Sequence, residues 1–77
     1  MVTKYENIGK VIKDIRNMQK MSQMELALRA GYTNAYISRV ERGLEIPRIA
    51  GAEDILNTLG YKVSILIEPM EGKNESE

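Results

Sequence analysis

Apolar residues recur at Ile8, Val11, Ile12, Ile15 and Met18, the spacing of one buried helix face, so a first helix is predicted from Asn7 to Gln19. From Ser22 to Gly43 the pattern shortens. Ser22 and Glu25 form the S-x-x-E pair of a capping box, in which the hydroxyl accepts from the Glu25 backbone N–H and the carboxylate reaches back to the Ser22 N–H. A second helix starts there, with Leu26, Ala27 and Ala30 available for burial, and ends at Gly31. Thr33 offers the next N-cap, and a third helix from Asn34 to Arg42 stops at Gly43. After Leu44 to Pro47, the residues Ile49, Ala52, Ile55, Leu56 and Leu59 outline a fourth helix that ends at Gly60. Gly51 inside it weakens the helix by about 1 kcal/mol relative to alanine.

The period then changes to two. Tyr61, Val63, Ile65 and Ile67 alternate with Lys62, Ser64, Leu66 and Glu68 until Pro69, which predicts a strand. No second stretch reads as a strand, and an unpaired strand leaves its N–H and C=O groups without partners. The economical partner is a second copy, paired across a two-fold axis through Tyr61, Val63, Ile65 and Ile67. The alternative is a strand lying alone against the helices. The expected fold is mainly α, a bundle of four to five helices with one C-terminal β-strand. Residues 1–6 form an N-terminal arm, 7–60 the helical domain, 61–68 the dimerisation strand and 69–77 a disordered acidic tail.

On a helical wheel of the third helix, Ile37, Val40 and Glu41 share one side. Ala35, Arg39 and Arg42 share the other, flanked by Tyr36 and Ser38. The outward face is small, polar and basic, and such a face suits a DNA groove. Alanine lets the backbone approach, Arg39 offers a bidentate fork to guanine O6 and N7, Asn34 can reach a base edge or phosphate, and Ser38 either. Gln23 stands in the first turn of the second helix, where free N–H groups and the helix dipole favour a phosphate. Glu41, turned inward among apolar neighbours, calls for a cation, since a buried unpaired carboxylate is costly.

Composition narrows the function classes. The 77 residues hold one small domain, with neither cysteine nor histidine. Thiolate nucleophiles, disulfides, Cys/His zinc sites and a histidine base are therefore excluded, and no enzyme, metal or cofactor is expected. Glu53 and Asp54 are adjacent, so on a helix they diverge by about 100° and form no metal or catalytic pair. No apolar run is long enough to span a bilayer and the N-terminus lacks a signal-peptide core, so a cytoplasmic protein is expected. Net charge is zero, yet residues 1–48 carry nine basic and five acidic side chains, whereas 49–77 carry two and six. A polyanion would meet the first part.

From Ile8 to Leu59, about two thirds of the chain, the sequence resembles the lambda-repressor-like helix-turn-helix domain, Xre type, of phage and bacterial repressors. Gln23, Ala27, Gly31, Ile37 and Val40 stand at the motif spacing, and ISRVERG followed by Pro47 is similar to the end of the recognition helix and its following loop. The resemblance implies a double-stranded DNA-binding transcriptional regulator, a repressor that binds a pseudo-palindromic operator as a homodimer. It implies that Gln23 binds phosphate, that Asn34, Ala35, Tyr36, Ser38 and Arg39 face the major groove, and that Arg42 and the Gly43 region lie along the backbone. It also implies a partly buried ion pair between Arg16 and Glu41, agreeing with the inward position of Glu41 on the wheel. The chain departs from the family at Gly51 and Ala52, and its C-terminal strand resembles the tail of certain repressors and of antitoxins. The alternative reading is thus an antitoxin that binds a toxin protein and autoregulates its operon.

Each of these residues also has a plainer reading. Gln23 and Arg39 could be solvated side chains, and Tyr36 could pack against the protein as well as against a thymine methyl or a phosphate. Lys10, Lys13 and Lys20 read as a solvated face of the first helix, and Met18, Met21 and Met24 as core filler.

Overall fold

The computed structural model describes residues 2–71. Among them a 3-10 turn at Tyr5–Asn7 leads into four helices: α1 (Ile8–Met18), α2 (Gln23–Ala30), α3 (Asn34–Glu41) and α4 (Ile49–Thr58). α2 packs on α3 and α4, while α1 packs on α3 and α4. One core joins them, built from Ile8, Ile12 and Ile15 of α1, Leu26 and Ala27 of α2, Ile37 and Val40 of α3, and Ala52, Ile55, Leu56 and Leu59 at α4. These are the residues that the helical spacing selects.

Local chemistry sets the ends of the two short helices. Ser22 Oγ accepts from the Glu25 N–H at 3.0 Å, and Thr33 Oγ1 accepts from the Tyr36 N–H at 3.0 Å. Only the first half of the expected capping box forms at α2. The Glu25 carboxylate turns instead to Arg29, one helical turn on, at 2.7 Å. Gly31 closes α2 at φ 85°, in the left-handed region that a side chain disfavours, and its N–H donates to Ala27 O at 2.9 Å.

The apolar stripe of α1 is shorter than its spacing suggests. Met18 is exposed, and so is Met24 on α2; only Met21 of the three expected fillers packs against the core. Lys20 does not lie on α1, because the helix ends at Met18 and Lys20 makes the turn to α2 at φ 57°. In α4, Ile49 is about half exposed and Gly51 is buried in its place. Gly51 has a reason: a Cβ there would stand 3.2 Å from Tyr32 Oη and 3.7 Å from Tyr36 Oη.

No paired strand forms among the described residues, contrary to the expectation for 61–68. The physical reason is that a strand is defined by its ladder, and a single copy supplies no second edge. Val63 packs against the core, while Ile65 and Ile67 are exposed. Of the expected tail at 69–77, residues 72–77 lie outside the described residues, and 69–71 are not helical.

A close approach that periodicity does not reveal seats α1 on α3. A Cβ at Gly9 would fall 1.9 Å from Val40 O and 2.9 Å from Val40 C, so only glycine admits the backbone of α3 here. Gly9→Ala is expected to lower the unfolding free energy by about 2–3 kcal/mol in urea denaturation, because backbone rather than a flexible side chain must move. Gly51→Ala should cost little, since its gain in helix propensity offsets displacement of a tyrosine tip. Equal effects of the two substitutions would contradict the packing of α1 on the end of α3.

Candidate nucleic-acid interface

α3 is eight residues long, too short to hold together without tertiary packing. Ile37 and Val40 anchor it in the core, and Glu41 is buried with them. Arg16 reaches from α1 to meet that carboxylate in a fork, with Nε donating to Glu41 Oε2 at 2.7 Å and Nη2 to Oε1 at 2.9 Å. Its third nitrogen donates to Met21 O at 2.7 Å, in the turn before α2. The hydrogen bond to Glu41 raises the Arg16 pKa, and the proximity of the carboxylate adds to this against the opposing effect of burial. Among the described residues, no buried side-chain nitrogen or oxygen lacks a partner.

Gln23 joins this cluster. Its amide Nε2 donates to Glu41 Oε1 at 2.9 Å, linking the first turn of α2 to the end of α3. One amide N–H is left over, since the group carries two. Sequence reading assigned Gln23 to phosphate but did not foresee this bond, whose signal is the inward position of Glu41 with acceptor capacity beyond one arginine.

With Ile37, Val40 and Glu41 turned in, Asn34, Ala35, Arg39 and Arg42 are exposed, and Tyr36 and Ser38 are partly buried. Arg42 follows the last residue of α3 as its C-cap. Arg39 is not free: its Nε donates to Glu45 Oε1 at 2.9 Å, both side chains being nearly half exposed, and its guanidinium lies 5.9 Å from the Tyr36 ring centre. Tyr36 stacks on Tyr32 with ring centres 5.0 Å apart, and Tyr32 donates to Asp54 Oδ2 on α4 at 3.0 Å. That bond raises the Tyr32 pKa, whereas burial, followed by the proximity of Glu45, raises that of Tyr36. Tyr36 thus takes the packed alternative for its ring while its helix face stays outward.

Sequence reading also missed Tyr5. Its hydroxyl donates to Pro47 O at 2.6 Å, tying the N-terminal 3-10 turn to the loop after α3, a contact 42 residues apart for which no local pattern exists. Gln19 acts similarly at the other end of α1, donating to Leu59 O at 2.7 Å. Asp54, which had no catalytic reading, has a structural one beneath Tyr32. Among the described residues no His, Cys, Asp and Glu group could hold a metal ion, and no helix is long and apolar enough to cross a membrane.

Residues 12–66 match the family model described as Helix-turn-helix. An uncharacterized HTH-type transcriptional regulator of Sinorhizobium fredii is 36% identical over 63 residues, covering 82% of this chain and 32% of that protein. The immunity repressor protein of Bacillus phage phi105 is 32% identical over 60 residues, covering 78% of this chain and 42% of that protein. The chain therefore spans less than half the length of these curated relatives.

Replacing only one member of the buried pair leaves the other as an uncompensated charge, so Glu41→Ala is expected to cost about 3–5 kcal/mol of stability. Arg16→Met combined with Glu41→Leu should recover most of that loss in the same denaturation experiment. A double variant no more stable than Glu41→Ala would show that shape, not charge pairing, dominates the site.

Proposed function

The chain belongs to the helix-turn-helix family, and from that premise we propose that it is a sequence-specific double-stranded DNA-binding repressor. It acts as a homodimer on a pseudo-palindromic operator, with α3 of each copy in the major groove. The observation that carries this reading is the exposed face of α3, which presents Asn34, Ala35, Arg39 and Arg42 while the helix is held from behind by Ile37, Val40 and the Arg16–Glu41 pair. A phage repressor and a transcriptional regulator among its relatives favour the repressor over the antitoxin reading.

Magnitudes decide whether Arg39 can serve. Its exposed pair with Glu45 is worth about 0–1 kcal/mol, whereas a bidentate contact to guanine gives about 1–3 kcal/mol of discrimination. Exchange of Glu45 for a base edge is therefore favourable, and until then Glu45 holds the guanidinium beside Tyr36. Asn34 and Ser38 reach base edges or phosphate, Ala35 allows close approach, and Tyr36 supports Arg39. Gln23 offers its second amide N–H to a phosphate at the start of α2 while the first keeps it oriented on Glu41. Arg42 meets the backbone beyond the recognition helix.

The domain organisation follows: an arm at 1–6, the DNA-binding domain at 7–60 and a segment at 61–68 whose Tyr61, Val63, Ile65 and Ile67 join two copies. Recognition helices would then address half-sites about one helical turn apart, or slightly more where the joined segments space the domains.

Selection of bound duplexes from a random library, followed by affinity measurements at several salt concentrations, tests the assignment. Arg39→Ala is expected to relax one position of the selected site by about 1–3 kcal/mol, whereas Gln23→Ala should weaken all sequences alike and leave the salt slope unchanged, because a neutral amide displaces no counterion. The reverse pattern, or binding indifferent to salt, would overturn these roles.

A further inference from the structure

The segment after α4 carries more information than its lack of secondary structure suggests. The Tyr61 N–H donates to Leu56 O at 2.8 Å, and no residue from 62 to 70 belongs to a helix or a paired strand. Its side chains border an apolar groove of about 1050 Å³ with Ile8, Val11, Ile15 and Leu56 among its lining residues. Val63 packs against the core, while Ile65 is 59% and Ile67 89% exposed, the three standing two residues apart in the sequence. Lys62 and Glu68 are exposed, stand six residues apart, border the same groove and make no ion pair among the described residues.

We infer that the occupant of this edge is the same segment of a second copy, running antiparallel about a two-fold axis through Ile65, so that each Lys62 faces the partner's Glu68. This rests on the homodimer reading above and adds its register. In an antiparallel pair with that axis, residues equally far from Ile65 lie opposite each other. Val63 then faces Ile67 of the partner copy, Ser64 faces Leu66, and Ile65 faces its own counterpart, each hetero-pair occurring twice. One face of the ribbon becomes continuous aliphatic surface, and the other carries two opposite-charge pairs at its ends.

Competing registers lose one property or the other. An axis through Ser64 sets Lys62 against Leu66 and Glu68 against Gly60, and an axis through Leu66 sets Lys62 against Met70. An axis between two residues would set odd positions against even ones, which the pleat forbids, because side chains directly opposite each other share a face. Pro69, which cannot donate to a ladder, falls at the ribbon end in the Ile65 register.

Charge reversal in the full chain, read by sedimentation equilibrium, tests this. Lys62→Glu and Glu68→Lys alone each convert two attractive pairs into two repulsive ones and should weaken the dimer on the order of ten-fold, while the two together should restore it. Circular dichroism checks that these exposed substitutions leave the helices intact. Cysteine scanning adds a geometric readout, because the native chain has no cysteine. Ile65→Cys should form a disulfide-linked dimer on mild oxidation; Val63→Cys and Ile67→Cys should not link alone but should link when mixed. A native dimer that is indifferent to both reversals, or that links to itself at another position, overturns the register and leaves the dimer reading standing. A native chain that stays monomeric at hundreds of micromolar overturns both.

Discussion

Arg16 and Glu41 meet where α1, the turn before α2, and the end of α3 converge, and the orientation of everything on the outer side of α3 depends on that meeting. The fork geometry fixes distance and rotation together, since two parallel N–H···O bonds tolerate little twist. Gln23 adds a third donor to the same carboxylate and so brings the start of α2 into register with the end of α3. Burying both charges costs several kcal/mol per ion before pairing, so the pair adds less to net stability than its short distances suggest. What it supplies is a defined pose for α3.

That pose matters because α2 and α3 are each eight residues long. Helices of this length do not persist alone in water, and their geometry is inherited from contacts. Apolar anchors seat them, Ser22 and Thr33 set their starts, Gly31 and Gly43 release the chain at their ends, and Gly9 lets α1 sit against the backbone at Val40. Among the side chains that these duties leave exposed are Asn34, Ala35 and Arg39 on the outer face of α3. Arg39 is held there by an exposed pair with Glu45 and by Tyr36, an arrangement that would limit the entropy lost in the proposed contact and is weak enough to be exchanged. The proposed interface is thus the remainder after the fold has taken what it needs.

Much of this was legible from spacing alone. Four helices, both caps, the stops at Gly31 and Gly43, and the inward turn of Glu41 follow from periodicity and from the chemistry of helix ends. Misreadings fell where periodicity says nothing about neighbours. Met18, Met24 and Ile49 extend apolar stripes past the point where another element is present to cover them, so they are exposed. Gly51 looked like a defect until Tyr32 and Tyr36 filled the space beside it. Tyr5 with Pro47 and Gln19 with Leu59 are contacts between residues far apart in the chain, and no local window contains both partners. The segment 61–68 has the alternation of a strand without a ladder, because alternation reports on side chains and not on whether a neighbouring edge exists to pair with.

In the proposed complex the outer face of α3, held by the Arg16–Glu41 pair, is the surface that meets DNA. Titrating the isotopically labelled protein with a selected duplex, and following each backbone amide by NMR, tests it most directly. The largest shifts are expected at Gln23 and from Asn34 to Gly43, with the exposed sides of α1 and α4 unaffected. Shifts concentrated on α4 or on residues 61–68, with α3 silent, would contradict it.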